Sequence, residues 1–172
     1  LPSLNRRHEH GQGQGGGTVQ RARDGGGGRV MKISTKGRYA IQTLVDLAQH
    51  EDEGLIPLKD VAARQDVSQK YLEQIVMAMS KAGFLYSVRG PQGGYRLARR
   101  PEEYNMAEVL QTIEGSLAPV VCLDTDTNTC EKCDTCATVD MWSGLYKAMT
   151  DYLSGVTLRD LVERAARSGG QG

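Results

Sequence analysis

Apolar residues in the first ordered stretch of this chain recur with a helical period. After Ser34 and Thr35, either of which can cap a helix, Ile41, Leu44, Val45 and Ala48 fall at i, i+3, i+4 and i+7. That spacing predicts an amphipathic helix over 35–50. The run from Glu51 to Pro57 ends it, and a short helix over 58–64 buries Leu58, Val61 and Ala62. A brief turn at 65–67 leads to Ser68, an N-cap position ahead of a second stripe of Leu72, Ile75, Val76 and Met79 that ends near Gly83.

Beyond Gly83 the pattern shortens. FLYSV at 84–88 and YRLA at 95–98 are strand-like runs on either side of RGPQGG at 89–94, which predicts a hairpin with a long tip. Met106 to Glu114 suits a short helix, and 120–136 reads as a cysteine-bearing loop. A further helix over 138–153 carries Val139, Trp142, Leu145, Tyr146, Met149 and Leu153 on one face, and Leu158, Leu161 and Val162 predict a last short one. There is no internal repeat. The fold class is mainly α: a winged helix-turn-helix of three helices and a two-stranded wing, followed by a long C-terminal helix.

Composition divides the 172 residues. The segment 1–30 holds nine glycines and almost no large apolar side chains, too little to offset the entropy of ordering, so it is expected to be a disordered tail. Because Met31 opens the periodic part, the natural start is expected there, with the upstream part a cloning remnant or a misassigned start. The division expected is a winged helix-turn-helix DNA-binding domain over 31–104, the cysteine loop and later helices over 105–166, and a short disordered tail over 167–172. No apolar run reaches the ~20 residues that span a bilayer, and no cleavable leader is present, so a cytoplasmic protein without membrane contact is expected.

The net charge of zero conceals an asymmetry: +3 over 1–30, +2 over 31–104 and −5 over 105–172. The middle segment is the candidate for nucleic acid, and charge placement carries that argument. Gln69, Lys70, Glu73, Gln74 and Met77 lie opposite the apolar stripe of the second helix. Glutamine pairs with adenine and glutamate accepts from cytosine, so Gln74 and Glu73 suit base edges, while Ser68, Gln69 and Lys70 suit phosphates near the helix start. On its own this face is also what a solvated helix shows. The hairpin shifts the balance toward DNA: Arg89, with Gly90 beside it, sits where strand gives way to loop and can enter a minor groove, and Arg96, Arg99 and Arg100 can neutralise phosphates.

All four cysteines lie within fifteen residues, Cys122, Cys130, Cys133 and Cys136, spaced C-x7-C-x2-C-x2-C. Thiolates are soft ligands that suit iron-sulfur clusters, zinc or copper(I), and close spacing lets one loop wrap a single centre. Spacing alone does not choose zinc over a cluster. A thiol oxidoreductase would want C-x2-C at a helix N-terminus, whereas these cysteines sit among Asp124, Asp126, Glu131 and Asp134, a setting expected to raise thiol pKa. With no Ser/His/Asp constellation either, an enzyme is not expected.

MKISTKGRYA at 31–40, SQKYLEQI at 68–75 and SVRGPQGGYRLA at 87–98 resemble the corresponding stretches of IscR-type regulators in the Rrf family of bacterial winged-helix repressors and activators. The resemblance runs from Met31 to about Val162. It implies binding to palindromic, double-stranded promoter DNA as a homodimer, with the long C-terminal helix serving dimerisation. Tyr71, Glu73, Gln74 and Arg89 match positions the family uses at DNA, with Ser68 and Lys70 alongside. In IscR-type members three cysteines, here matched by Cys122, Cys130 and Cys136, hold a [2Fe-2S] cluster just before a helix bearing a tryptophan, here Trp142. The fourth ligand differs between members. Val139 replaces the histidine found in some, and Arg38 stands where another has an acid, so Cys133 is expected to supply the fourth position, or else Asp134 or Asp140. The implied role is control of iron-sulfur cluster assembly or of related cysteine and redox genes. The rival expectation is a regulator with zinc or no metal, sensing redox state or a partner enzyme.

Overall fold

The computed structural model describes residues 33–124, 130 and 132–169. The expected tail at 1–30, the last residues of the expected tail at 167–172, and the loop acids Asp126 and Glu131 lie outside them. Among the described residues the chain forms six α-helices and one two-stranded antiparallel sheet. Helix α1 (Thr35–Gln49) starts where the Ser34 hydroxyl accepts from the Gly37 amide, 3.1 Å away. Helix α2 (Leu58–Arg64) and helix α3 (Gln69–Lys81) are joined by the tight turn predicted at 65–67, and Ser68 caps α3 by accepting from the Tyr71 amide at 3.2 Å. Each cap satisfies an N–H that a helix start leaves unpaired.

The hairpin pairs β1 (Leu85–Val88) with β2 (Gly94–Leu97), Leu85 opposite Leu97 and Tyr86 opposite Arg96. Strand alternation sends Leu85 and Leu97 inward and leaves Tyr86 and Arg96 outside. The wing is tied to α1–α2 as well: Ile56 and Tyr95 exchange backbone bonds of 2.9 and 2.8 Å. The sequence showed no sign of the residue that locks its base. Tyr104 is fully buried; its hydroxyl donates to the Phe84 carbonyl at 2.7 Å and accepts from the amides of Ala98 and Arg99, both at 3.0 Å. Burial, the dominant cause, pushes this phenol above its ordinary value, with the two amides opposing.

Helices α4 (Met106–Glu114), α5 (Val139–Ser154) and α6 (Leu158–Gly169) complete the chain. Met106 and Val109 of α4 and Leu158 of α6 join Leu44, Leu47, Leu72, Ile75, Met79 and Phe84 in one core. Each such side chain, fully buried, stabilises the fold by about 1.5–3 kcal/mol. The architecture is a mainly α winged helix-turn-helix, as the hydrophobic pattern predicted. One boundary differs: α6 reaches Gly169, into the expected tail at 167–172. Its start is held by a reciprocal cap, Thr157 Oγ1 accepting from the Asp160 amide and Asp160 Oδ2 from the Thr157 amide. Leu161 and Val162 pack on the core, so the alanines and arginines after them continue an anchored helix.

Helix α5 is the exception to this packing, since none of its residues is buried. Met141 is 57% exposed and Tyr152 65%. Among the described residues no helix is long and apolar enough to cross a membrane.

Candidate nucleic-acid interface and cysteine loop

The stripe of Leu72, Ile75, Val76 and Met79 anchors α3 in the core and turns Gln69, Lys70, Glu73, Gln74 and Met77 outward, all five exposed. Met77, an apolar side chain on this otherwise polar face, is 68% exposed. Gln69 and Glu73, one turn apart, are joined by a hydrogen bond of 3.2 Å from the amide to the carboxylate. Tyr71 is different: half-buried, it packs edge-to-face on Tyr39 of α1 with ring centroids 5.7 Å apart. Of the candidate DNA-contacting residues on α3, it is the one packed against α1.

The end of β1 faces this surface. Lys70, Glu73, Gln74 and Met77 line one wall of an open cleft whose other wall is Ser87, Val88, Arg89 and Tyr95. Arg89 is exposed at the rim, and Gly90 beside it takes φ +116, a conformation that glycine adopts freely. The loop closes with the Gly93 amide donating to the Gly90 carbonyl at 2.9 Å; a Cβ on Gly93 would lie 2.1 Å from the Val88 carbonyl oxygen. Gln69, Lys70, Glu73, Gln74, Arg89 and Gly90 therefore line two adjoining clefts that share Glu73 and Arg89, and Ser68 is exposed at the start of α3. A second cleft between α2 and the wing adds Lys59, which the sequence analysis missed although a cation in the first turn of the first helix of the pair was there to be read.

The wing arginines do not act alike. Arg96 lies over the Tyr86 ring, its guanidinium carbon 4.6 Å from the centroid, and is exposed. Arg99 instead pairs with Glu108 of α4 at 3.4 Å and lies over the Phe84 ring, and Arg100 pairs with Glu103 at 3.5 Å. In sequence alone both arginines look free for phosphates. Their carboxylate partners arrive from the turn and helix that follow the wing, a contact no local pattern announces.

The cysteine loop runs from the end of α4 to the start of α5. Cys122 sits in the short turn Val121–Leu123; the Cys133 amide donates to the Cys130 carbonyl at 3.0 Å, and the Cys136 amide to the Cys133 carbonyl at 3.3 Å. The loop thus folds back every three residues, which keeps Cys130, Cys133 and Cys136 close. Burial raises the Cys133 thiol, and Asp134, Cys130, Cys122 and Cys136 each push it further. Cys136 departs from the expected rise: bonds from the Thr138 hydroxyl, 3.4 Å away, and from the Thr138 amide hold its thiol below the ordinary range, outweighing burial and Asp140. Among the described residues no three His, Cys, Asp or Glu side chains are arranged to grip a metal ion. In donor chemistry and number alone, four cysteines within fifteen residues of one loop suit a thiolate-ligated centre. Of the alternatives for the fourth place, Asp134 and Asp140 are exposed, Val139 has no donor, and His50 turns its ring to the Asp46 carbonyl on α1.

The family described as Rrf2, iron-dependent transcriptional regulator, matches residues 33–164. The chain belongs to the Rrf2 family. The HTH-type transcriptional regulator IscR of Aliivibrio salmonicida is 37% identical over 132 residues, 77% of each chain. Protein rrf2 of Nitratidesulfovibrio vulgaris is 38% identical over 136 residues, 79% of this chain and 90% of its own. Among solved structures, T. potens IscR has a TM-score of 0.62 at 36% identity, covering 78% of this chain and 88% of that one. CymR, the global cysteine regulator of B. subtilis, has a TM-score of 0.63 at 32% identity, covering 77% and 97%. This Rrf2 protein is a transcriptional regulator of the IscR type, a role that implies binding to DNA, and it is not an enzyme.

Proposed function

We propose that this Rrf2 protein is a cytoplasmic, homodimeric regulator that binds double-stranded promoter DNA through α3 and the wing, under the control of a [2Fe-2S] cluster held by Cys122, Cys130, Cys133 and Cys136. The observation that carries the DNA half is the shared cleft: Lys70, Glu73 and Gln74 on one wall and Arg89 on the other. In this reading Glu73 and Gln74 meet base edges in the major groove, Ser68, Gln69 and Lys70 meet phosphates, and Arg89 reaches the adjoining minor groove with Gly90 at the turn and Arg96 on the flank. Tyr71 supports the face from behind through Tyr39.

The regulatory half rests on position. Cys136 lies three residues before α5, the helix with no buried residue, and the apolar Met141, Leu145 and Tyr152 are exposed along it. Exposed apolar area of this kind marks an association surface, and the occupant proposed is the α5 of a second copy. The loop therefore sets the direction in which α5 leaves, and α5 sets the distance between the two α3 helices on a two-fold site. When bound, a cluster supplies a centre that oxidants, nitric oxide or iron shortage can alter or remove. Anaerobic purification with visible absorption, iron and sulfide analysis tests this: equal iron and sulfide, with absorption that weakens on reduction and is lost when an oxidant destroys the centre, is expected. Stoichiometric zinc without sulfide defeats it.

A second reading has one observation of its own. The likeness to CymR, the global cysteine regulator of B. subtilis, fits a regulator with zinc or no metal that answers to redox state or a partner enzyme. Alanine at Cys122, Cys130 and Cys136 with an unaltered promoter response is its expected signature. The genes proposed under control are those of cluster assembly or of related cysteine and redox metabolism.

A further inference from the structure

Helix α4 ends at Glu114, eight residues before Cys122, and the chain leaves it through Gly115 at φ +82. The Glu114 carboxylate reaches across to the start of α1. Its Oε1 accepts from the Ser34 amide at 3.0 Å and from the Ser34 hydroxyl at 2.7 Å, and that same hydroxyl accepts from the Gly37 amide. Two residues eighty positions apart thus cap one helix together. Gly37 makes room for them: a Cβ there would lie 2.2 Å from Glu114 Oε1 and 3.2 Å from Leu110 Cδ2. Glycine is a poor helix former, so its place in the first turn of α1 is explained by the carboxylate it admits. Further along α1, Tyr39 packs on Tyr71, which stands between Lys70 and Glu73 in the first turns of α3.

We propose that Glu114 is a positioning residue that carries the state of the cysteine loop to the recognition helix through the jointly capped start of α1. This rests on the cluster-controlled reading above. A loop held at its cysteines keeps the last turn of α4 in place, Glu114 on Ser34 and α1 seated against α3. A loop released lets the carboxylate leave, the first turn of α1 loosen and Tyr39 shift beneath Tyr71. The coupling needs an element that both sites bias, and the cap that joins the end of α4 to the start of α1 stands between them.

The test uses the full chain with its centre and after chelation, binding a labelled duplex that spans the promoter of its own gene. Anisotropy gives the affinity ratio of the two forms, visible absorption the loading, and far-UV circular dichroism the fold. The wild type is expected to show a ratio of roughly fivefold or more. Glu114→Ala, and Gly37→Ala, which evicts the carboxylate while favouring the helix, are expected to bring it within about twofold of unity with absorption and helicity retained. Glu114→Gln, which keeps an oxygen acceptor for Ser34, is expected to restore most of it. A wild-type ratio in both alanine variants overturns the proposal. A ratio of one in the wild type overturns the cluster-controlled reading itself, and the relay with it. Should either variant fail to fold or load, hydrogen exchange of the wild type decides: removal of the centre must speed exchange of the amides at 36–38, and unchanged protection there overturns the proposal.

Discussion

At the scale of single residues, chemistry and neighbourhood pull apart. Arg89 and Arg99 are both arginines of the wing region, yet Arg89 stands exposed at the rim of the cleft while Arg99 is engaged by Glu108. Replacing Arg89 by alanine is expected to weaken DNA binding roughly tenfold and to flatten its salt dependence by about one unit of slope. The same change at Arg99 should alter affinity little, and anisotropy titrations at several salt concentrations separate the two. The cysteines divide in a similar way. Hydrogen bonds from Thr138 lower the Cys136 thiol, whereas burial and neighbouring negative charge raise Cys133. A lowered pKa means more thiolate at a given pH below the ordinary 9.0. In metal-free protein, alkylation followed by mass spectrometry should therefore mark Cys136 before Cys133 at pH 7–8, the difference closing as pH rises and both ionise. Faster labelling of Cys133 would contradict the geometry of the loop. Such distinctions were not legible in sequence, because Glu108 and Glu103 fall outside any motif and the Thr138 bonds depend on how the loop turns.

At the scale of elements, legibility was high where a helix or strand buries one face. The stripes of α1 and α3, the caps at Ser34 and Ser68 and the bounds of α2 and α4 follow from period and capping chemistry alone. What escaped was the tie between elements. Tyr104 looks like a connector residue in sequence, but its hydroxyl satisfies one carbonyl and two amides at the base of the hairpin. Tyr104→Phe leaves those groups without their partner in the interior and is expected to cost about 1–3 kcal/mol. Thermal unfolding reads that loss, and an unchanged Tm would mean that the three bonds contribute nothing net. The Glu114 cap on α1 is of the same kind, a long-range contact set by tertiary packing.

At the scale of the whole molecule, one core holds α1 through α4 and α6 together, and α5 meets it at Leu153 without burying a residue of its own. Since α5 contributes no buried residue to its own chain, a charge there should spare the fold and break association. Leu145→Lys is expected to yield a folded monomer by light scattering, with affinity for a two-site duplex much reduced; a dimer of normal size would remove α5 from the interface. The family match covers 33–164 and spans wing, loop and α5 alike, so the regulatory role belongs to the whole arrangement. The sequence placed the four cysteines in one loop.

The central claim is that the state of the cysteine loop decides how α3 and the wing meet DNA. Its most direct test is salt-dependent binding of the same protein, with its centre and after its removal, to duplex DNA from its own promoter. Affinities that differ between the two forms at every salt concentration, with the difference abolished by alanine at Cys122, Cys130 and Cys136, are the predicted result. Identical isotherms for the two forms would contradict it.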